Sequence, residues 1–353
     1  MNEAAPKTAT MADLEAMRGT EHALRGVDEV TRSDIRRKLE VYCFDCPLYY
    51  DPKVAQAHGY RDIIAPGTIT ALWAMPAYWE PGESTFYQPG LRDKPGGIRI
   101  DLPPVYPKGV NSASEWEFFE PIYPGDRLHG NWQITDIKPR QTRLGDGVFV
   151  LTDTSIFKQT GELVAKNINT NFRYKEVPRD ESGGTRERPP REAAEPVAKP
   201  TQAPAIASDA VDWTKQLRDA DVKVGDFVPS LAMWLSYQRI VMSVAVDRMF
   251  SGIHHNREMA QTNGFKDIIY NTRSYEFQFE VMLRRWIGLD GKIVRLGPFR
   301  MTGSSYPNDT VIAYGKVIER LDDARGKRLK LEIWCDNDRG EACRGQAEVA
   351  LPA

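Results

Sequence analysis

The sequence predicts an α+β protein made of two copies of one unit, each opening with helix and continuing as a run of antiparallel strands. Three observations predict it. A segment of the first half recurs without a gap in the second, a Pro- and charge-rich stretch separates the copies, and each copy switches from helical to alternating patterning.

The recurring segment is Asp51 to Gly67, DPKVAQAHGYRDIIAPG, which aligns on Asn256 to Thr272, NREMAQTNGFKDIIYNT. Ala, Gln, Gly, Asp and two Ile coincide, while Tyr60 faces Phe265 and Arg61 faces Lys266. Two further echoes follow in the same order: YPGD at Tyr123 to Asp126 answers YPND at Tyr306 to Asp309, and GEL at Gly161 answers GEA at Gly340. Collinear matches of this kind imply duplication. Between the copies, residues 178–209 are rich in Pro, Glu, Arg and Ala and almost without large apolar side chains, the composition of a linker. The expected domains are therefore 1–177 and 210–353.

Within each copy, PKVAQAHG and REMAQTNG supply helix formers followed by Gly at the C-cap position. A longer helix is expected next, over TITALWAMPAYW in the first half and TRSYEFQFEVMLRRWIG in the second. Alternating segments follow: SEWEFFEPI, LHGNWQITDI, FVLTDTSIF and VAKNINTNFRY, then KIVRLGPFRM, TVIAYGKVIE, LKLEIWCDN and QAEVALP. A long apolar helix needs cover, which a curved antiparallel sheet wrapped around it provides.

The chain has 353 residues, 41% of them hydrophobic and 27% charged, which fits two ordinary globular cores. Lys and Arg number 47 against 49 Asp and Glu, so no net field favours nucleic acid or an anionic membrane, and a small-molecule partner is expected. No apolar run approaches the roughly 18 residues of a membrane span. The N-terminus lacks a signal-peptide pattern, so a cytoplasmic location is expected. Of the four cysteines, Cys43 and Cys46 form a lone C-x-x-C, and Cys335 and Cys343 lack the spacing of a zinc ribbon; all four read as reduced core or loop residues. No phosphate-loop, dinucleotide or serine-hydrolase motif occurs, and no metal or cofactor is expected.

The segment MFSGIHHNREMAQTNGFKDIIYNT from Met249 resembles the MaoC-like hotdog superfamily, which includes (R)-specific enoyl-CoA hydratases and acyl dehydratases with two hotdogs in one chain. The resemblance covers nearly the whole sequence and implies a tandem double hotdog acting on an acyl-CoA thioester. In the family's pattern an Asp, four residues and a His precede an Ala-rich helix, a Gly, an Ile-Ile pair and a His-Gly that opens the central helix. Here His254 occupies the His position, Met249 the Asp position, Asn256 the following acidic position, and Asn271-Thr272 the His-Gly. In the first copy the same two positions hold Phe44 and Tyr49, so that copy is expected to be silent.

Hydration of a 2-enoyl thioester needs a base for water at C3, a proton for C2 and donors for the enolate oxygen. His254 suits the first task. Backbone N–H groups near Thr272 suit the last, with Asn256, Asn271, Thr272 and Glu276 as candidate substrate contacts. The missing carboxylate is sought in Asp247, Glu276 and Glu280; Thr272, Glu276 and Glu280 share one helix face. Solvation of the two glutamates, or pairing with Arg284 and Arg285, is the competing expectation. Trp73, Met75, Tyr78, Trp79, Phe86 and Tyr87 are core or interface aromatics and apolars, or alternatively the wall of a pocket for a bulky acyl group. The expected activity is (R)-specific hydration or the reverse dehydration. A non-catalytic acyl-CoA-binding or partner subunit is the second reading and a thioesterase the third. Pairing of the two hotdogs within the chain is expected, with a homodimer or a second hotdog subunit as possible further partners.

Overall fold

The computed structural model describes residues 9–85, 102–103, 105–106, 108–142, 145–176 and 199–353. Phe86, Tyr87 and residues 178–198 of the expected linker lie outside the described residues. The elements run α1 (Met11–Glu15), β1 (His22–Glu29), α2 (Arg32–Tyr42), α3 (Pro52–Ala57), β2 (Lys108–Phe118), β3 (Arg127–Thr142), β4 (Gly145–Lys158) and β5 (Leu163–Glu176). They continue as β6 (Ala205–Ile206), β7 (Phe227–Trp234), α4 (Tyr237–Val246), α5 (Arg257–Thr262), α6 (Thr272–Ile287), β8 (Lys292–Met301), β9 (Thr310–Asp323), β10 (Gly326–Asn337) and β11 (Gly340–Ala350).

The eleven strands among the described residues form one sheet in the order β1-β3-β4-β5-β2-β8-β11-β10-β9-β7-β6. Its two halves repeat one connectivity, since β7-β9-β10-β11-β8 has the order of β1-β3-β4-β5-β2. They join where β2 pairs antiparallel with β8, with Ser114 opposite Phe299 and Trp116 opposite Leu296. At this seam Gly297 has φ +107°, and a Cβ there would stand 2.5 Å from the Ser114 carbonyl oxygen, so only glycine allows the close approach. Arg295 of β8 pairs with Glu115 of β2 across the same seam. The first strand of each half, β1 before α2 and β7 before α4, lies outside the alternating segments read from the sequence. At the far edge Ala205–Ile206 adds a short parallel strand to β7.

The repeat reappears as paired local structure. Asp51 caps α3 and Asn256 caps α5 through their side chains. Gly59 and Gly264 follow with φ +84° and +86°. Asp126 accepts the Tyr123 N–H at 2.9 Å, and Asp309 accepts the Tyr306 N–H at 2.7 Å. The echoed letters are those that terminate helices and close turns, and their geometry constrains residue type.

The two central helices differ. In the second half α6 spans 16 residues from the Asn271 cap to Gly288 at φ +71°, and it is buried almost all round. Such a helix needs cover on every side. Its own strands β7, β8 and β9 contact it, and so does the segment at 67–74 of the first half, which draws both halves into one core. In the first half the helix expected over TITALWAMPAYW is instead a 3-10 helix of eight residues, Gly67–Ala74, ending in extended backbone at Met75. Pro76 explains the stop, because its ring excludes helical backbone at the preceding residue and it has no N–H to donate. Thr68, Ile69 and Thr70 add β-branched crowding.

Cys46, Cys335 and Cys343 are buried, Cys43 is exposed, and all four are free thiols. Burial pushes the Cys46 thiol up to about 12, so it stays protonated. No helix among the described residues is long and apolar enough to cross a membrane.

Candidate functional site

His254 ends a short 3-10 helix, Gly252–His254, between α4 and α5. At Gly252 a Cβ would fall 2.0 Å from the Met259 sulfur, so a larger residue there would have to displace that side chain. The Ile269 N–H donates to the Ile253 carbonyl at 3.1 Å, tying this turn to the chain entering α6. The His254 Nδ1 lies 2.8 Å from the Ile269 carbonyl oxygen. A carbonyl only accepts, so Nδ1 carries the proton and the neutral ring keeps its lone pair on Nε2. Burial lowers the His254 pKa to about 4; the Ile269 bond opposes this and the neighbouring His255 adds to it. At neutral pH the imidazole is uncharged.

Two residues beyond Ile269, the Asn271 side chain accepts the Ser274 N–H at 2.7 Å, and Thr272 opens α6 half-buried. The chain path therefore brings His254, Asn271 and Thr272 to one end of α6. Asn256 does not join them through its side chain. It is exposed and accepts the Met259 N–H at 3.0 Å as the cap of α5, the task its position before a helix favours.

The acids are engaged elsewhere. Asp247 ends α4, and both its oxygens lie 2.7 Å from the Lys38 ammonium of α2, with both side chains buried. Lys38 also sits 4.8 Å from the Phe277 ring centre. Glu276 accepts the Trp116 indole N–H at 3.0 Å. Burial raises its pKa, against the opposing effects of Arg273, Ser114 and Trp116. Glu280 accepts the Gly67 N–H at 2.9 Å, the Thr68 N–H at 3.0 Å, the Thr68 hydroxyl at 2.6 Å and the Tyr49 phenol at 3.4 Å. Among the described residues none of the three bonds to His254. The solvated or Arg-paired alternative is corrected as well. Arg284 donates to the carbonyls of Gly288 and Gly291, Arg285 to those of Ala207 and Asp209, and both glutamates are buried because the first half covers α6.

Lys38 was missed by sequence reasoning although a signal existed. Ile35, Lys38, Leu39 and Tyr42 form one i, i+3, i+4, i+7 face of α2, so a cation stands on an apolar stripe. Tyr49 occupies the first-half position equivalent to His254. Burial and the Glu280 charge hold its phenol pKa well above the usual range, so it exchanges no proton near neutrality. The first-half N–H pair at Gly67 and Thr68 corresponds to the start of α6 in the second half, and Glu280 already fills it.

A cavity of about 340 Å³ opens between the halves. Its apolar lining includes Leu72, Trp73, Met75 and Val246, and Arg37 and Arg248 reach it. His254 is not among the lining residues; the cavity borders the stretch 245–248 just upstream of it. Trp73 and Met75 thus serve both core and cavity, while Trp79 is exposed and Tyr78 packs edge-on against Phe250 at 5.3 Å.

Comparison with known proteins agrees with this architecture. The family model described as FAS1-like, dehydratase domain region matches residues 16–167. A probable enoyl-CoA hydratase alpha subunit from Thermomonospora curvata is 31% identical over 147 residues, 40% of this chain. The chain spans only 44% of that relative's length. A UPF0336 protein from Saccharopolyspora erythraea is 33% identical over 122 residues, 35% of this chain and 69% of that relative. Among solved structures, a MaoC-like dehydratase superposes with TM-score 0.69 at 19% identity, covering 96% of this chain and all (100%) of the other. A conserved hypothetical protein from Mycobacterium tuberculosis, described as a double hotdog, superposes with TM-score 0.56 at 13% identity over 93% of this chain and 96% of its own. Two hotdogs in one chain, the repeated connectivity and these likenesses place the chain in the MaoC-like hotdog family of hydratases and dehydratases.

Proposed function

We propose that the chain catalyses (R)-specific hydration of a 2-enoyl-CoA, or the reverse dehydration of a 3-hydroxyacyl-CoA, at the second-half site. The observation that carries this reading is the His254 ring, held neutral with Nδ1–H given to Ile269, three residues before α6, and Nε2 left with its lone pair. In the hydration direction Nε2 takes a proton from water as the hydroxyl oxygen bonds to C3. Electron density moves to the thioester oxygen, which the first-turn N–H groups of α6 and its dipole stabilise. The imidazolium then returns the proton to C2, and the carbonyl reforms. One side chain can thus remove and return one proton, which suits a site whose three candidate acids are bonded to other groups.

The test is hydration of a panel of trans-2-enoyl-CoA thioesters, from short to bulky acyl groups, followed by loss of the enoyl absorbance and by chiral analysis of the product. Formation of (R)-3-hydroxyacyl-CoA supports the proposal. No turnover across the panel rejects it, and release of free CoA instead would identify a thioesterase.

A second reading rests on Met249 at the position the family fills with Asp, and on the prior engagement of Asp247, Glu276 and Glu280. On that reading the chain binds acyl-CoA or a second hotdog protein without chemistry of its own. Activity that appears only on mixing with such a protein would select it.

A further inference from the structure

Arg248 directly precedes Met249 and directly follows Asp247. Its backbone adopts φ +53°, a left-handed conformation that a side chain other than Gly, Asn or Asp seldom takes. Arg248 lines the cavity between the halves, is half-buried, and has no hydrogen-bond or ion-pair partner among the described residues. The adjacent Asp247 does not neutralise it, because both Asp247 oxygens are held by Lys38. Nor does Asp34, which accepts from the Thr31 hydroxyl at 2.8 Å and the Trp73 indole at 3.3 Å and faces Arg37 at 3.6 Å. Asp28 also lines the cavity but is exposed on β1, where water screens it.

Arg37 lines the cavity too but faces Asp34, and the rest of the lining is apolar, through Leu72, Trp73, Met75 and Val246. At about 340 Å³ the space lies at the small end of ligand pockets, which run from roughly 300 to 1,000 Å³. A free guanidinium over an apolar floor fits a short hydrocarbon segment bearing an anionic oxygen group, and a planar fork of donors matches a carboxylate or phosphate in two-point fashion.

We propose that this cavity is a binding site in which Arg248 holds an anionic group of the thioester ligand, either a carboxylate at the far end of a short acyl chain or a phosphate of the CoA portion. The proposal rests on the acyl-CoA reading and adds the ligand's charge to it. Arg248 is a binding residue here, set apart from the proton transfer at His254.

The experiment measures binding of saturated thioesters, which cannot be hydrated, so that the result is independent of turnover. Calorimetry would compare glutaryl-CoA, pentanoyl-CoA and free CoA on the wild type, Arg248→Gln and Asp28→Asn. If the anion is an acyl carboxylate, Arg248→Gln weakens glutaryl-CoA by about tenfold to a hundredfold, the loss typical of one charged hydrogen bond, and leaves the other two unchanged. Asp28→Asn, which removes a nearby negative charge, tightens glutaryl-CoA in the same assay. If the anion is a CoA phosphate, Arg248→Gln weakens all three ligands alike, which also supports the site. Unchanged binding of all three in a folded Arg248→Gln protein overturns the proposal while leaving the acyl-CoA reading intact. Failure of the wild type to bind any of them rejects both.

Discussion

The two halves present the same turn to the start of a central helix, and they treat it oppositely. In the first half Tyr49 stands at the turn, and the Gly67 and Thr68 N–H groups are closed by the Glu280 carboxylate reaching across from the second half. In the second half His254 stands at the turn as a neutral base, and no carboxylate of the first half bonds to it among the described residues. An internal anion therefore fills one member of a duplicated site, and the backbone donors that would serve a substrate oxygen become part of the packing. The comparison teaches that the two copies differ by more than Tyr49 against His254, since in the first the backbone donors tether the longest helix among the described residues.

If that asymmetry is structural, breaking the tethers should cost stability in a definite order. The largest loss is expected from Lys38→Met, which strands the buried Asp247 between α2 and α4; breaking such a pair costs about 3 to 5 kcal/mol in denaturant unfolding. A loss below about 1 kcal/mol would mean that the pair is not desolvated as found. Glu280→Gln should follow at about 2 to 4 kcal/mol, because an amide turned toward two N–H donors satisfies at most part of what a carboxylate satisfies. A neutral effect would show that Gly67 and Thr68 have other partners.

The pH dependence sharpens the same contrast. His254 has a folded pKa of about 4 against about 6.5 for a free histidine, so between these values the unfolded chain binds the extra proton. Its contribution is complete above about pH 6.5 and is lost as pH falls toward 4, by up to about 3 kcal/mol. His254→Ala should flatten that slope, measured by urea unfolding across the window; an unaltered slope would place the titration elsewhere. The smallest effect belongs to Tyr49→Phe, below about 1 kcal/mol, since its hydroxyl sits a long 3.4 Å from a carboxylate already holding three donors.

Much of the fold was legible because duplication leaves its mark where geometry restricts residue choice. Asp51 and Asn256 cap helices, Gly59 and Gly264 take positive φ, and Asp126 and Asp309 close turns, so these letters persisted in both copies. The alternating strands followed for the same reason. Strands β1 and β7 and the early end of the first central helix were harder to see. The first two are eight-residue strands at or next to the ends of the sheet, and the third turns on Pro76 within an apolar run that otherwise reads as helix. Of the site, His254, Asn271 and Thr272 could be placed together because they belong to one contiguous motif. The fates of Asp247, Glu276 and Glu280 could not, because their partners Lys38, Trp116, Gly67 and Thr68 come from the other half, and a pattern within one segment does not name its partner in the other.

The family-model match covers the first half, at residues 16–167, whereas the proposed chemistry lies in the second, so likeness and activity are separable by experiment. The most direct measurement is the single-turnover hydration rate of one reactive trans-2-enoyl-CoA by folded His254→Ala and folded Tyr49→Phe, each against the wild type. The account predicts a loss of about two to four orders of magnitude for His254→Ala and an unchanged rate for Tyr49→Phe. Unchanged hydration by His254→Ala, or a comparable loss in Tyr49→Phe, would contradict it.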